Sequence, residues 1–218
     1  MKKRGELCLK SGLASLLLFV LWTVLVYTVD VQPAGVNGTE IGFAEINVWF
    51  HSVIGVNMYL YALTDWLGLV PVSICFGFGV EGLVQLFKRK SLLKVDRDII
   101  ISGIYYIAVF ACYFLFEMIP INYRPVLIDG CMEPSYPSST TLLVLSVMPT
   151  LVMRSKIKLE SSRIKKLIIC ITMLFSVLML IGRLLSGVHW ITDIIGSAFL
   201  SAGLFCVYKS SVLLCDKN

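Results

Sequence analysis

The residues best suited to chemistry lie in one stretch near the carboxyl end of the chain, which contains Arg183, His189 and Asp193. His189 and Asp193 are four residues apart, so on a helix they would share one face. A carboxylate there can fix the tautomer of the imidazole and leave the other ring nitrogen free as a nucleophile or base. Arg183 can fold back across the Ser186-Gly187 turn and place its planar guanidinium beside an oxyanion. The spacing also fits a histidine bonded to aspartate at a helix start, with the arginine as an interfacial anchor.

A second polar stretch, Pro137-Ser138-Ser139-Thr140, comes directly before an apolar run that predicts a helix. The start of a helix has free N–H groups and the positive end of the helix dipole, and both favour a bound anion. The hydroxyl groups of Ser138, Ser139 and Thr140 are additional donors. An ordinary Ser/Thr N-cap is the alternative interpretation.

Arg124, followed by Pro125, is the third candidate, and it comes just after another apolar run. Alone, it also fits an arginine that extends toward lipid headgroups. Two arginines, a His–Asp pair and a hydroxyl-rich helix start are together the groups that a phosphoryl-transfer transition state requires. The three stretches therefore predict one phosphate site, provided that the fold brings them together.

The elements that must position these residues are membrane helices. Apolar residues make up 57% of the chain, charged residues only 15%, and the mean hydropathy is +0.85, which excludes an ordinary soluble domain. A helix needs about 20 residues to cross ~30 Å of hydrocarbon, and most of the apolar runs approach that length. The runs are 13–28, 67–87, 99–118, 141–153, 167–185 and 191–214. We predict a single all-α membrane domain over residues 1–218 with six transmembrane helices, and five or seven helices are the alternatives.

The distribution of Lys and Arg predicts the orientation. Of the 19 Lys and Arg residues, all but Arg124 and Arg183 fall in clusters within 2–10, 88–97, 154–166 and 209–217. Positive clusters mark the cytoplasmic side, so both termini are predicted to be cytoplasmic. The net charge of +5 then reflects topology and not nucleic-acid binding. Segment 30–66 has no Lys or Arg and is rich in aromatic residues, so we expect an outer interfacial segment there.

The amino terminus has two interpretations. A basic start followed by an apolar run fits a cleaved signal peptide, but the run is long for one and no small-x-small cleavage site follows. We therefore expect an uncleaved first helix.

The three polar stretches resemble the signature motifs of the type 2 phosphatidic acid phosphatases, a family of membrane lipid phosphatases that shares its site with vanadium haloperoxidases. The resembling residues are Arg124-Pro125, Pro137-Ser138-Ser139 and Arg183-x5-His189-x3-Asp193, within a motif core at roughly 99–205. The resemblance implies that His189 attacks phosphorus and becomes a phosphohistidine, while Asp193 orients it. It also implies that Arg124, Arg183 and the serine loop at 137–140 hold the phosphoryl oxygens, with no metal or other cofactor.

The resemblance extends to substrate and location. It implies a lipid phosphate or diphosphate as substrate and a site at the outer membrane surface. We expect an integral protein of a bacterial plasma membrane with its site on the extracytoplasmic face. No oligomeric state is predicted.

Three positions depart from the family pattern. Glu117 stands where the first motif has Lys, Thr140 where the second has His, and Gly182 where the third has Ser. The second departure matters most, because the family's His protonates the leaving group and a threonine cannot act as a general acid near pH 7. A diphosphate releases a weakly basic phosphate that needs little protonation, so we expect an active protein to prefer a lipid diphosphate, such as a polyprenyl diphosphate.

Alternatives remain for the acid and for the function. His51, Asp129 and Glu133 are further candidate acids. A relative that binds a lipid phosphate without turnover, or a lipid phosphotransferase, would keep the same residues. A small transporter fits less well, because Glu81 and Glu117 are the only carboxylates well inside apolar runs.

Overall fold

The computed structural model describes residues 2–215, and this part of the chain folds into eight α-helices without a β-strand. The helices are α1 (Lys2–Thr28), α2 (Ala44–Ile54), α3 (Met58–Leu67), α4 (Leu69–Arg89), α5 (Arg97–Met118), α6 (Ser139–Lys158), α7 (Ser162–Leu185) and α8 (Ile191–Cys215). Six segments are long and apolar enough to cross a membrane, with α3 and α4 together forming the second. The prediction of an all-α bundle with six spanning helices is therefore confirmed.

Helix α6 is longer than its apolar run. It begins at Ser139 and continues through the basic residues to Lys158, whereas the sequence predicted a short run at 141–153. Half of its most apolar 18-residue stretch is buried inside the protein, which is the largest share among the six spans. Because α6 packs between α7 and α8 and faces little lipid, it does not need a strongly apolar surface.

Helices α1 and α8 pack closely along their length. A Cβ atom added at Gly12 would lie 3.0 Å from the backbone nitrogen of Val207, and one at Gly203 would lie 3.0 Å from that of Leu16. Small residues at these points let the two backbones approach, as is common between membrane helices. The first and last helices thereby form one closely packed pair within the bundle.

The second and third basic clusters, at 88–97 and 154–166, meet at the end of the bundle away from the start of α6. Arg154 bonds to Glu81 and lies 2.9 Å from a carboxylate oxygen of Asp98. Lys158 lies 3.4 Å from Asp96. Glu81 thus has a structural partner at this end. Lys217, part of the last predicted cluster, lies outside the described residues.

The predicted outer segment at 30–66 forms α2 and α3, and α3 continues past Gly68 into α4. Helix α2 lies against the short loop that joins α7 to α8. Gly187 in that loop has a φ of +67°, and a Cβ atom there would come within 1.9 Å of the Gly55 carbonyl oxygen. Only glycine fits this contact, which ends α7 and turns the chain toward α8.

Candidate active site

His189 lies in the loop between α7 and α8 and not on a helix. Helix α8 begins at Ile191, so His189 and Asp193 do not share one continuous helical face as the sequence predicted. Asp193 is in the first turn of α8, and its Oδ2 accepts a hydrogen bond of 2.9 Å from the Trp190 N–H. The tight turn at Gly187 interrupts the helical path before His189, and His189 and Asp193 are therefore not on one helix.

The His189 ring is buried, with 3% of its surface exposed, and both ring nitrogens have partners. Nε2 lies 3.3 Å from Nη2 of Arg183, and Nδ1 lies 3.1 Å from the carbonyl oxygen of Ser135. A guanidinium can only donate, and a carbonyl can only accept. The network therefore assigns the ring hydrogen to Nδ1 and leaves the lone pair on Nε2.

Asp193 lies next to this ring at a longer distance. Its Oδ2 is 3.8 Å from Nδ1 of His189, beyond hydrogen-bond length. Its Oδ1 lies 3.5 Å from the side-chain nitrogen of Asn122. The Ser135 carbonyl is thus the direct partner of Nδ1, and the orienting role of Asp193 stays a prediction.

Burial lowers the pKa of His189 well below its usual value of 6.5, and the positive charges of Arg183 and Arg124 lower the pKa further. The ring is consequently neutral near pH 7. A neutral imidazole with its lone pair on Nε2 is the form that can attack an electrophile.

Arg183 lies in the last turn of α7, and its side chain packs against α3. Its side chain is 1% exposed, and its Nη1 lies 3.7 Å from Oδ1 of Asp65 and 3.4 Å from Oγ1 of Thr64. Its Cζ lies 5.0 Å from the centroid of the Tyr61 ring. Helix α3 therefore holds this guanidinium beside His189.

Arg124 comes from the loop between α5 and α6 and reaches the same aromatic ring. Its Cζ lies 5.6 Å from the Tyr61 centroid, and its Nη2 lies 3.1 Å from Oε2 of Glu133. Among the described residues, Nη1 of Arg124 and Nε of Arg183 are buried without a hydrogen-bond partner. Two buried guanidinium groups with unused donors are suited to an anion.

The hydroxyl residues of the serine loop have different neighbours, and their part in binding phosphate stays a prediction. Ser138 Oγ is 3.0 Å from Oγ1 of Thr141, and the Ser138 N–H is directed at the Asp193 carbonyl. Thr140 is buried beside Gly68. Ser139, the first residue of α6, lines a small cleft together with His189. Within the described part of the chain no side chain caps this helix, so its first N–H groups are left for a ligand.

Glu117 lines the same cleft from the last turn of α5, with Tyr113 and Phe116 beside it. In the part of the chain that the structure describes, the carboxylate partner of Arg124 is Glu133 and not Glu117.

The other candidate acids are placed elsewhere. Nε2 of His51 lies 3.1 Å from the carbonyl oxygen of Gly187, and its ring packs 5.6 Å from that of Trp190. His51 therefore supports the loop that carries His189 and does not line the cleft. Asp129 is in an exposed turn.

Sequence reasoning missed α3 as part of the site. Tyr61, Thr64 and Asp65 have the spacing of one helical face, and Asp65 is a carboxylate among apolar and aromatic residues. That pattern could have identified these three residues as candidate site residues. It was interpreted as an interfacial segment because the aromatic residues fit a membrane surface equally well. The Ser135 carbonyl had no sequence signal, since every residue carries one.

Comparisons with known proteins identify the family and the fold. The sequence profile described as the PAP2 superfamily matches residues 99–214, more than half of the chain. A comparison with curated protein sequences finds no match. Among solved structures, the chain is similar to a crystal structure described as the first transmembrane PAP2 type phosphatidylglycerolphosphate phosphatase from Bacillus subtilis. The TM-score is 0.58 at 18% identity, over 95% of this chain and 98% of that one.

Proposed function

The chain belongs to the PAP2 superfamily, and from this premise we propose that it is an integral-membrane phosphatase that removes phosphate from a lipid phosphate or a polyprenyl diphosphate. The observation that carries the proposal is the environment of His189. Its Nε2 lies 3.3 Å from Nη2 of Arg183, and its Nδ1–H is held by the Ser135 carbonyl.

The proposed reaction has two steps. Nε2 of His189 attacks phosphorus, and the bond from phosphorus to the leaving oxygen breaks, which produces a phosphohistidine. Water then attacks the phosphohistidine and releases inorganic phosphate. A neutral imidazole is required in the first step, and the lowered pKa of His189 supports this form.

The charge that develops on the phosphoryl oxygens needs donors. Arg183 and Arg124, together with the uncapped start of α6 at Ser139, supply them from three directions. Because these groups are buried and already held in place, they need little reorganisation as the reaction proceeds. Asp193, on this proposal, helps to orient the imidazole from 3.8 Å.

The test is to trap the covalent intermediate. Purified protein in detergent is mixed with a panel of labelled lipid monophosphates and diphosphates, and the reaction is quenched in base. A phosphohistidine survives in base, and this stability distinguishes it from an acyl phosphate. We expect an acid-labile label at residue 189 and release of inorganic phosphate. His189→Gln should abolish both, whereas His51→Gln, the matched change at the second histidine, should keep the label.

A second candidate is a protein that binds a lipid phosphate without turnover. The observation that favours it is that Asp65 and Glu133 already lie 3.7 Å and 3.1 Å from the two guanidinium groups, so an anion meets a partly neutralised site. Such a protein would bind labelled lipid phosphate but form no phosphohistidine. Transfer of the label to an added alcohol, in place of water, would instead indicate a phosphotransferase.

A further inference from the structure

The alcohol of a lipid phosphate monoester cannot be expelled easily from phosphorus in the site described so far. Its departing alkoxide is strongly basic and needs a proton as the bond to phosphorus breaks. Thr140 cannot supply one, and its side chain is buried beside Gly68. The two histidines are also committed, because His189 is the proposed nucleophile and His51 contacts the Gly187 carbonyl.

Glu117 is the carboxyl group that shares the cleft with the nucleophile. The cleft is lined by His189 and Ser139 together with Tyr113, Phe116 and Glu117. Leu142 of α6 also lines it, so the cleft combines the start of α6 with the last turn of α5. A phosphate held between Ser139 and His189 would lie within the space that Glu117 borders.

The side chain of Glu117 has no other role in the described structure. Over residues 2–215 no ion pair or side-chain hydrogen bond involves it, whereas Glu133 and Asp65 contact the two arginines. The charged groups close to Glu117 are Arg124 and Glu133, which pair with each other and largely cancel. The other titratable groups lining the cleft are the phenols of Tyr113 and Tyr136 and the neutral imidazole of His189. Glu117 is also at the carboxyl end of α5, where the helix dipole does not stabilise an anion.

We propose that Glu117 is the general acid of this site, in place of the histidine that the second motif lacks. The inference rests on the proposed function. In the first step the Glu117 carboxyl gives its proton to the leaving oxygen as His189 takes the phosphoryl group, which yields an alcohol and a carboxylate. In the second step that carboxylate takes a proton from the attacking water. Hydroxide adds to phosphorus, inorganic phosphate leaves, and both side chains return to their starting forms.

The test compares two leaving groups in the variant Glu117→Gln. Phosphatidic acid releases an alcohol and depends on the acid, while farnesyl diphosphate releases a phosphate that departs without one. We expect kcat with phosphatidic acid to fall about 10²–10⁴-fold, the usual contribution of a general acid. With the diphosphate we expect less than a tenfold loss. On this proposal, the preference for diphosphates that was expected from the sequence applies to the Glu117→Gln variant more than to the natural protein.

Glu133→Gln is the matched control, because it changes a carboxylate that contacts Arg124 and does not line the cleft. It should alter both reactions by the same factor. Phosphohistidine formation from the diphosphate shows that the Glu117→Gln protein is folded. Equal losses with both substrates, or no loss with phosphatidic acid, would overturn the acid role. Failure of the unmodified protein to form phosphohistidine from any substrate would instead overturn the proposed function, and the acid role with it.

Discussion

Nη2 of Arg183 lies 3.3 Å from Nε2 of His189, although the two residues are on opposite sides of a tight turn. Because the guanidinium only donates, this contact selects the tautomer with its lone pair on Nε2. On the proposed function, the same arginine would prepare the imidazole for attack and stand beside the position where phosphoryl charge develops.

Replacing Arg183 with lysine should show the value of this geometry. A lysine carries the charge on a single nitrogen, so it cannot reproduce the forked contacts in which Nη1 reaches Thr64 and Nη2 reaches His189. We expect Arg183→Lys to lower kcat by about 10²–10³-fold, as for loss of one oxyanion donor. Arg163→Lys, an exposed position at the start of the same helix, is the control and should leave turnover unchanged. Steady-state phosphate release measures both, and near-normal turnover in Arg183→Lys would contradict the role.

The Tyr61 ring should contribute to anion binding by holding both guanidinium groups, whose Cζ atoms are 5.0 Å and 5.6 Å from its centroid. A cation–π contact is worth about 0.5–2 kcal/mol. We expect Tyr61→Leu to weaken product inhibition by inorganic phosphate about 3–10-fold. Tyr59→Leu, at a ring that is 92% exposed on the same helix, is the matched change and should leave the inhibition constant as it is. Equal inhibition constants for the two variants would exclude this role.

The turn at Gly187 should tolerate no side chain. Alanine there would combine a left-handed φ of +67° with a Cβ atom 1.9 Å from the Gly55 oxygen. Gly38→Ala is an informative comparison, because its φ is +76° but nothing lies within 4 Å of the added atom. The backbone strain alone costs about 1–2 kcal/mol in each case.

We therefore expect Gly38→Ala to lower the thermal midpoint slightly and to keep full turnover. Gly187→Ala should lose turnover and a larger part of its thermal stability, because α2 or the loop that carries His189 must move. Thermal unfolding in detergent and phosphate release from the same preparations measure the difference. Similar behaviour of the two variants would show that the contact with Gly55 is unimportant.

His189 should remain neutral in mildly acidic solution. Burial and the two arginines lower its pKa well below 6.5, so the folded protein binds no proton there as the pH falls through that value. The unfolded chain does bind one. This group therefore makes folding less favourable as the pH falls below about 6.5, and the effect is absent at higher pH.

The measurement is NMR of protein labelled in its histidine rings, with His51→Gln removing the second signal. The remaining signal should keep the chemical shift of a neutral Nδ1–H ring from about pH 7.5 to about pH 5.5, a range that spans the model-peptide pKa of histidine. A titration midpoint near 6.5 would contradict both the burial of the ring and its contact with Arg183.

The features that could be predicted from sequence are those that a bilayer or a short motif imposes locally. Six spans followed from run length and hydropathy, because unpaired backbone groups cannot lie in hydrocarbon and a helix needs about 20 residues to cross it. Arg124, Arg183 and His189 could be named because cations away from the basic clusters and a histidine near an aspartate are uncommon in such a chain. Even here, local spacing misplaced His189 on a helix, since the turn depends on the contact between Gly187 and Gly55.

The sequence by itself therefore determined the membrane bundle and most of the residues that could hold a phosphate. Only the tertiary structure decided what surrounds them. Thr64 contacts Arg183 across 119 residues of chain, and the Ser135 carbonyl contacts His189 across 54. Such contacts leave little local pattern, because they depend on how helices with similar apolar surfaces pack against one another. Packing also brought Glu117 into the cleft of His189, and with it a candidate proton donor at a position where the family pattern has a cation.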